Sequence, residues 1–222
     1  MEKERLPLFI TFEGVEGSGK TTQIRRLKRY LTRQGIPCAV TREPGGCPIS
    51  EKIRKILLHP DHRGMAPLAE LFLYEAARVQ HVKDVIEPRL QKGMTVLCDR
   101  FCDATTAYQG YSRRLSLDLV LELNRLAAGR TVPDLTILLD LPPRMGLERA
   151  LQRNRTRSLD REARFEQEAL AFHERVRKGY LAIARREPGR VKRIDTRQGE
   201  EKVFDKIRQV VDGLLGRPGP VE

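Results

Sequence analysis

Short apolar runs alternate along the chain with longer stretches in which apolar residues recur every three or four positions. Residues 6–13, 36–42, 94–99, 135–140 and 190–195 are short, apolar and β-rich, and read as strands. Residues 20–33, 50–58, 68–91, 115–128, 143–153, 165–186 and 200–215 carry the helical period, with Ser50 as a cap and a kink near Pro88. Strands this uniformly apolar must be covered on both faces, which is the signature of a parallel sheet. Helices between every pair of strands, joined by right-handed crossovers, reduce the topology to a doubly wound α/β fold with five parallel strands. No repeat or linker divides the chain, so residues 1–222 read as one domain with a frayed tail at 216–222.

Composition narrows the class. The chain has 222 residues, 40% hydrophobic and 32% charged, in keeping with a soluble globular protein. No apolar run approaches the roughly 20 residues that cross a bilayer. The start, Met1-Glu2-Lys3-Glu4-Arg5, has no apolar signal core, so the expected compartment is the cytoplasm. The formal net charge of +12 is compatible with nucleic acid, an anionic surface or a polyphosphate ligand. It is spread along the chain, and Trp is absent, which argues against a stacking platform for single strands. Neither nucleic acid nor membrane is therefore expected as a partner. Cys38, Cys47, Cys98 and Cys102 form no CxxC pair and read as reduced thiols. Residues 153–164 hold five arginines against two acids and almost nothing apolar. They are expected to stay out of the core, as a solvated helix end or a basic flap.

Gly14-Val15-Glu16-Gly17-Ser18-Gly19-Lys20-Thr21 fits G-x-x-x-x-G-K-[ST], between a predicted strand and a predicted helix. Glycines let the backbone approach phosphates closely, and the loop N–H groups form an anion nest at a helix N-terminus. Residues 14–22, Thr22 included, are thus expected to cradle ATP. Lys20 supplies charge to the β/γ oxygens and the Thr21 hydroxyl suits Mg²⁺. Asp99 ends the third strand and is the favoured acidic partner of the metal, with Asp140 at the end of the fourth as its competitor. Arg100 follows Asp99 and would put a phosphate clamp beside the metal holder.

Five segments in order extend this picture. They are the cradle from Phe12 to Gln23, Thr41-Arg-Glu-Pro-Gly-Gly46, Glu75-Ala-Ala-Arg-Val-Gln-His81, Asp99-Arg-Phe101 and Ala107-Tyr-Gln-Gly110. Together they resemble the thymidylate (dTMP) kinase family of the bacterial type, over nearly the whole chain. The resemblance implies ATP- and Mg²⁺-dependent phosphorylation of dTMP to dTDP, on the path to dTTP, by a homodimer paired through the helix at 68–91. Arg100 matches the arginine on the acceptor phosphate, and Glu16 the acidic residue facing the 3′-hydroxyl and that phosphate. Arg42 and Glu43 fall in the loop that closes over the acceptor, and Arg54 matches a helical arginine near it. Tyr74 would stack on the thymine while Arg78, one helical turn on, bonds its edge. Thr105, Tyr108 and Gln109 match the segment that contacts base and sugar, with Tyr108 crowding out a 2′-hydroxyl.

The arginine-rich stretch, about 150–165, resembles the family's lid. The bacterial type has no arginine in the cradle and draws one from the lid. Arg149, Arg153, Arg155, Arg157, Arg161 and Arg164 are the candidates, with Arg153 and Arg155 favoured as catalytic. The lid is longer than expected, Ala163-Arg164 stands where Asp-Arg is usual, and Ala104 where Ser is common. Two other readings of the cradle stay open: a kinase for another small acceptor, and a basic ATPase acting on nucleic acid.

Overall fold

The computed structural model describes residues 7–157, 164–166 and 168–216, with the side chains of 153–157 excepted. Five strands form one parallel sheet in the order β2-β3-β1-β4-β5: β1 (Phe9–Glu13), β2 (Cys38–Arg42), β3 (Thr95–Asp99), β4 (Leu135–Asp140) and β5 (Val191–Asp195). Strand β1 lies at the centre and every one of its residues is buried. Nothing in it is free to face water, so its apolar run shows no alternation. Thr11, in the middle of β1, is tolerated because its hydroxyl bonds that of Thr136 on β4 at 2.7 Å.

Helices α1 (Lys20–Arg33) and α9 (Glu200–Leu214) cover one face. Ile24, Leu27 and Leu31 of α1 meet Val203, Ile207 and Val211 of α9 over Ile10, Leu97 and Ile137 of the sheet. The other face carries α2 (Pro48–Leu58), α3 (Pro67–His81), α4 (Glu87–Gln91), α5 (Cys102–Thr105), α6 (Leu117–Ala128), α7 (Pro143–Arg157) and α8 (Leu170–Arg186). An apolar cluster there joins Leu138, Tyr108, Phe165, Phe172 and Tyr180. The carboxyl ends of all five strands share one edge, and the strand order reverses around β1. Ligands of doubly wound sheets bind at such a crevice.

Three expectations need correction, and a fourth needs detail. Helix α2 begins at Pro48 with Cys47 as its cap. Proline at the first position has no N–H to be capped, so Ser50 is free to sit inside the helix, buried, donating to Ala77 O at 2.7 Å. The irregularity expected near Pro88 in the helix at 68–91 takes the form of a π-turn over Val82–Ile86, just before the proline. Proline cannot close the usual i−4 bond, and the preceding turn absorbs the mismatch. A second widened turn, Thr106–Ser112, follows α5 where the sequence predicted no element. Lastly, Phe165 lies in a turn ahead of α8, which starts at Leu170. The tail at 217–222 lies outside the described residues. All four cysteines are free thiols.

Candidate active site

The loop after β1 is shaped by what packs beneath it. Gly17 has φ 68°, and a β-carbon there would lie 2.1 Å from the carbonyl oxygen of Gly146 on α7. A β-carbon on Gly146 would in turn lie 2.3 Å from the Glu16 carbonyl oxygen. Loop and helix can meet only because neither residue has a side chain. Gly146 carries no motif and was not singled out from sequence.

Inside the loop, Lys20 Nζ donates to the carbonyl oxygens of Gly14 and Val15 at 3.0 and 3.1 Å. Burial, and the positive charge of Arg100, push the Lys20 ammonium down to about 8 against the pull of Asp99, Glu16 and Glu13. Ser18 Oγ is buried with no hydrogen-bond partner among the described residues, an unmet donor within the cradle. Thr21 donates to Asp99 Oδ2 at 3.2 Å, so hydroxyl and carboxylate meet where the sequence expected a metal. Thr22 is exposed and Val15 belongs to the core. Asp140, the competitor for the metal, is spoken for: Arg177 and Arg193 both bond its carboxylate, each at 2.7 Å in its shortest contact.

Across the cleft, Arg100 Nη2 bonds Glu16 Oε1 at 3.1 Å, and its guanidinium lies 4.9 Å over the Tyr108 ring. Glu16 also accepts from Tyr108 Oη at 2.5 Å and pairs with His173 Nδ1 at 3.1 Å. Burial by itself would raise the Glu16 carboxyl, but the His173 hydrogen bond and the charges of Arg100 and Lys20 hold it well below the usual range. The neighbouring Glu13 goes the other way: burial and the Asp103 carboxylate push it up to about 8.

A second, fully buried cluster lies behind. Arg78 Nε donates to Glu43 at 2.9 Å, Nη1 to Glu75 and Asn124, and Nη2 to Thr105 Oγ1 at 2.9 Å. His81 ties Glu43 to Thr41, with ring contacts of 2.9 and 2.6 Å. Arg42 pairs with Glu51 of α2, and Arg54 donates to Pro44 O, so the 42–46 loop is bound to that helix. Tyr74 packs 6.5 Å from the Phe165 ring, near Tyr108. Gln109 donates to Glu70 at 2.8 Å.

The expectation that 153–164 stays out of the core fails at Arg164, which is 2% exposed. Its guanidinium pairs with Glu70 at 2.7 Å and donates to Leu57 O at 3.0 Å. A buried carboxylate on α3 neutralises it, which removes it from the lid candidates. Arg149 is exposed. The side chains of Arg153, Arg155 and Arg157, and the whole of Arg161, lie outside the described residues. His173, Tyr180 and Glu70 were not foreseen, because each acts through a partner distant in sequence.

The strand–loop–helix of residues 9–33 on the central strand, with an Asp–Arg pair ending the strand beside it, places the chain among α/β proteins of the P-loop NTPase type. Comparison with known proteins narrows the class. The family model "Thymidylate kinase" matches residues 12–207. A thymidylate kinase of Syntrophotalea carbinolica is 54% identical over 96% of this chain and 99% of its own. One from Geobacter sulfurreducens is also 54% identical, over 94% and 97%. The crystal structure of thymidylate kinase from Ehrlichia chaffeensis superposes with a TM-score of 0.74 at 33% identity, covering 94% of this chain and 99% of that one. The chain belongs to the thymidylate kinase family.

Proposed function

We propose that this protein transfers the γ-phosphoryl group of ATP to dTMP, forming dTDP and ADP. The observation that carries the reading is that Arg100 reaches Glu16 inside the loop that also holds Lys20, in a chain that aligns end to end with a thymidylate kinase. The cradle at 14–22 takes the triphosphate, with Ser18 Oγ as an extra donor. The Thr21 hydroxyl and Asp99 carboxylate are hard oxygens and fit Mg²⁺. Among the described residues no group of three His, Cys, Asp or Glu side chains could hold a metal ion. When bound, Mg²⁺ supplies positive charge to the β- and γ-oxygens.

An oxygen of the acceptor phosphate bonds to the γ-phosphorus in line, as the bond to the β–γ bridging oxygen breaks and ADP leaves. The acceptor needs no strong base, since its second pKa is near 6 (about half a proton remains at that pH). Lys20 and Arg100 neutralise charge as the group moves. Tyr74 stacks on the base. Most of the Arg78 fork is committed to protein partners, so the base-edge contact falls to its remaining Nη2 hydrogen, beside Thr105. Tyr108, fixed by Glu16, crowds a 2′-hydroxyl; Gln109 shapes the sugar side; Arg42 and Glu43 of the 42–46 loop and Arg54 of α2 frame the acceptor phosphate. Arg153 and Arg155 supply the lid charge. Because two arginines share the task, each alanine substitution is expected to lower kcat by about tenfold or more. Steady-state rates of Arg153→Ala and Arg155→Ala check this, and wild-type rates in both would move the role elsewhere.

The test of the whole reading is a coupled ADP-release assay with ATP, Mg²⁺ and dTMP, dUMP, dCMP, UMP or thymidine in turn. Fast turnover with dTMP, slow with dUMP and almost none with thymidine is expected. Turnover indifferent to the acceptor would overturn the assignment.

The protein also pairs with a second copy. Leu68, Phe72 and Val79 lie on one face of α3 and are 42%, 52% and 50% exposed. Leu119 and Leu126 are exposed on α6, which packs beside α3. A stripe of this kind on a soluble protein marks an interface. Light scattering at micromolar concentration should give twice the chain mass, and Phe72→Glu should return the monomer.

A further inference from the structure

Arg100 is held by more than its own backbone. Its φ is 71°, a left-handed conformation disfavoured for any residue but glycine. Its amide donates to Phe12 O at 2.9 Å, and Nη2 reaches Glu16. Nη1 reaches Tyr180 Oη at 3.1 Å. Arginine only donates, so the tyrosine oxygen accepts here and its own hydrogen is committed elsewhere. That hydrogen goes to Glu13 Oε2 at 2.7 Å, and the other Glu13 oxygen accepts the Phe101 N–H at 2.7 Å. One carboxyl group at the end of β1 thus holds both the backbone just after Arg100 and the phenol that holds its side chain. Glu13 is 0% exposed and Tyr180 2%, so water cannot stand in for either partner.

We infer that Tyr180, anchored by Glu13, is a positioning residue that aims the Arg100 guanidinium at the acceptor phosphate. The inference rests on the role proposed for Arg100 above. Glu16 and Tyr180 pin the two ends of a planar fork. An incoming phosphate competes with Glu16 for Nη2. The Tyr180 contact on Nη1 is then the one that keeps the fork from swinging away. Misplacing a charge by a fraction of an ångström is enough to weaken transition-state stabilisation. Tyr180 belongs to α8, which also carries His173, the partner of Glu16. Both ends of the fork are therefore registered to the same helix.

The alternative is packing alone. The Tyr180 ring stands edge-on to Tyr108 at 6.3 Å, within an apolar cluster. Phenylalanine would serve that role equally, so Tyr180→Phe separates the two. Removing the hydroxyl should lower kcat with dTMP by about tenfold to a hundredfold and raise KM for dTMP. KM for ATP should stay within about twofold, and the melting temperature within about 4 °C. The decisive readout is coupling, measured by single turnover at high enzyme concentration. In an Arg100→Ala background, adding Tyr180→Phe should cost less than about twofold, because the residue acts through a group already gone. Wild-type turnover by Tyr180→Phe, or an equal loss with and without Arg100, overturns the inference. Arg100→Ala at the wild-type rate would overturn the reading of Arg100 itself, and the inference with it.

Discussion

Arg100→Ala should lower kcat/KM for dTMP by about 10³-fold or more, the range found for arginines that neutralise a transferring phosphoryl group. The guanidinium is stacked 4.9 Å over Tyr108 and bonded at both ends, so its charge is delivered to a fixed point without reorganisation. Its loss also leaves the half-buried Glu16 carboxylate facing the acceptor phosphate with one cation fewer between them. Arg100→Lys should recover little. A single ammonium cannot reach Tyr180 and Glu16 with separate nitrogens of a rigid fork. Steady-state kinetics with dTMP varied at saturating ATP measures the effect, with a thermal melt to confirm folding. An unchanged kcat/KM would remove Arg100 from the acceptor site.

Lys20→Ala should cost about 10²–10³ in kcat, the scale on which a preorganised donor to developing charge is valued. Its Nζ lies inside the loop, bonded to two of its carbonyls at 3.0 and 3.1 Å. A pH dependence follows. In the free protein the ammonium sits near 8, so it sheds its proton as pH rises through that value. A bound triphosphate favours the charged form and pulls the value back up. ATP binding at pH 9 should therefore take up a proton, and affinity should fall as pH climbs past 8. Calorimetry in two buffers of different ionisation heat reads the uptake directly. No uptake at pH 9 would mean that Lys20 keeps its proton in the free protein.

How far the sequence carries depends on the range of the interaction. Helix α1 and strand β4 have the bounds that periodicity predicted, because their apolar patterns are strong and their ends carry glycine or charge. The cradle, Asp99 and Arg100 were legible for a similar reason. Each is tied to the end of a strand, and parallel topology alone brings those ends together. What escaped notice was built from pairs far apart in the chain. Tyr180 meets Glu13 across 167 positions, and His173 meets Glu16 across 157. Arg164 read as a solvated charge because its neutralising carboxylate, Glu70, lies far back in the chain on α3. Local composition carries no trace of such a partner. Widened turns are harder to read: Pro88 marks an irregularity without fixing its form as the π-turn Val82–Ile86, and Thr106–Ser112 carries no proline to mark one.

The Glu16–Arg100 pair also bears on which anions the site admits. Inorganic phosphate is an anion of the same shape and charge as the group that Arg100 is meant to receive. It would find the guanidinium already bonded to a carboxylate that His173 and Tyr108 hold in place. A lone anion has only its own charge with which to dislodge that tethered rival. A nucleotide arrives with a base and a sugar as well, and their contacts supply the remaining free energy. On the role proposed for Arg100, the pair would act as a doorkeeper that makes entry conditional on the whole ligand.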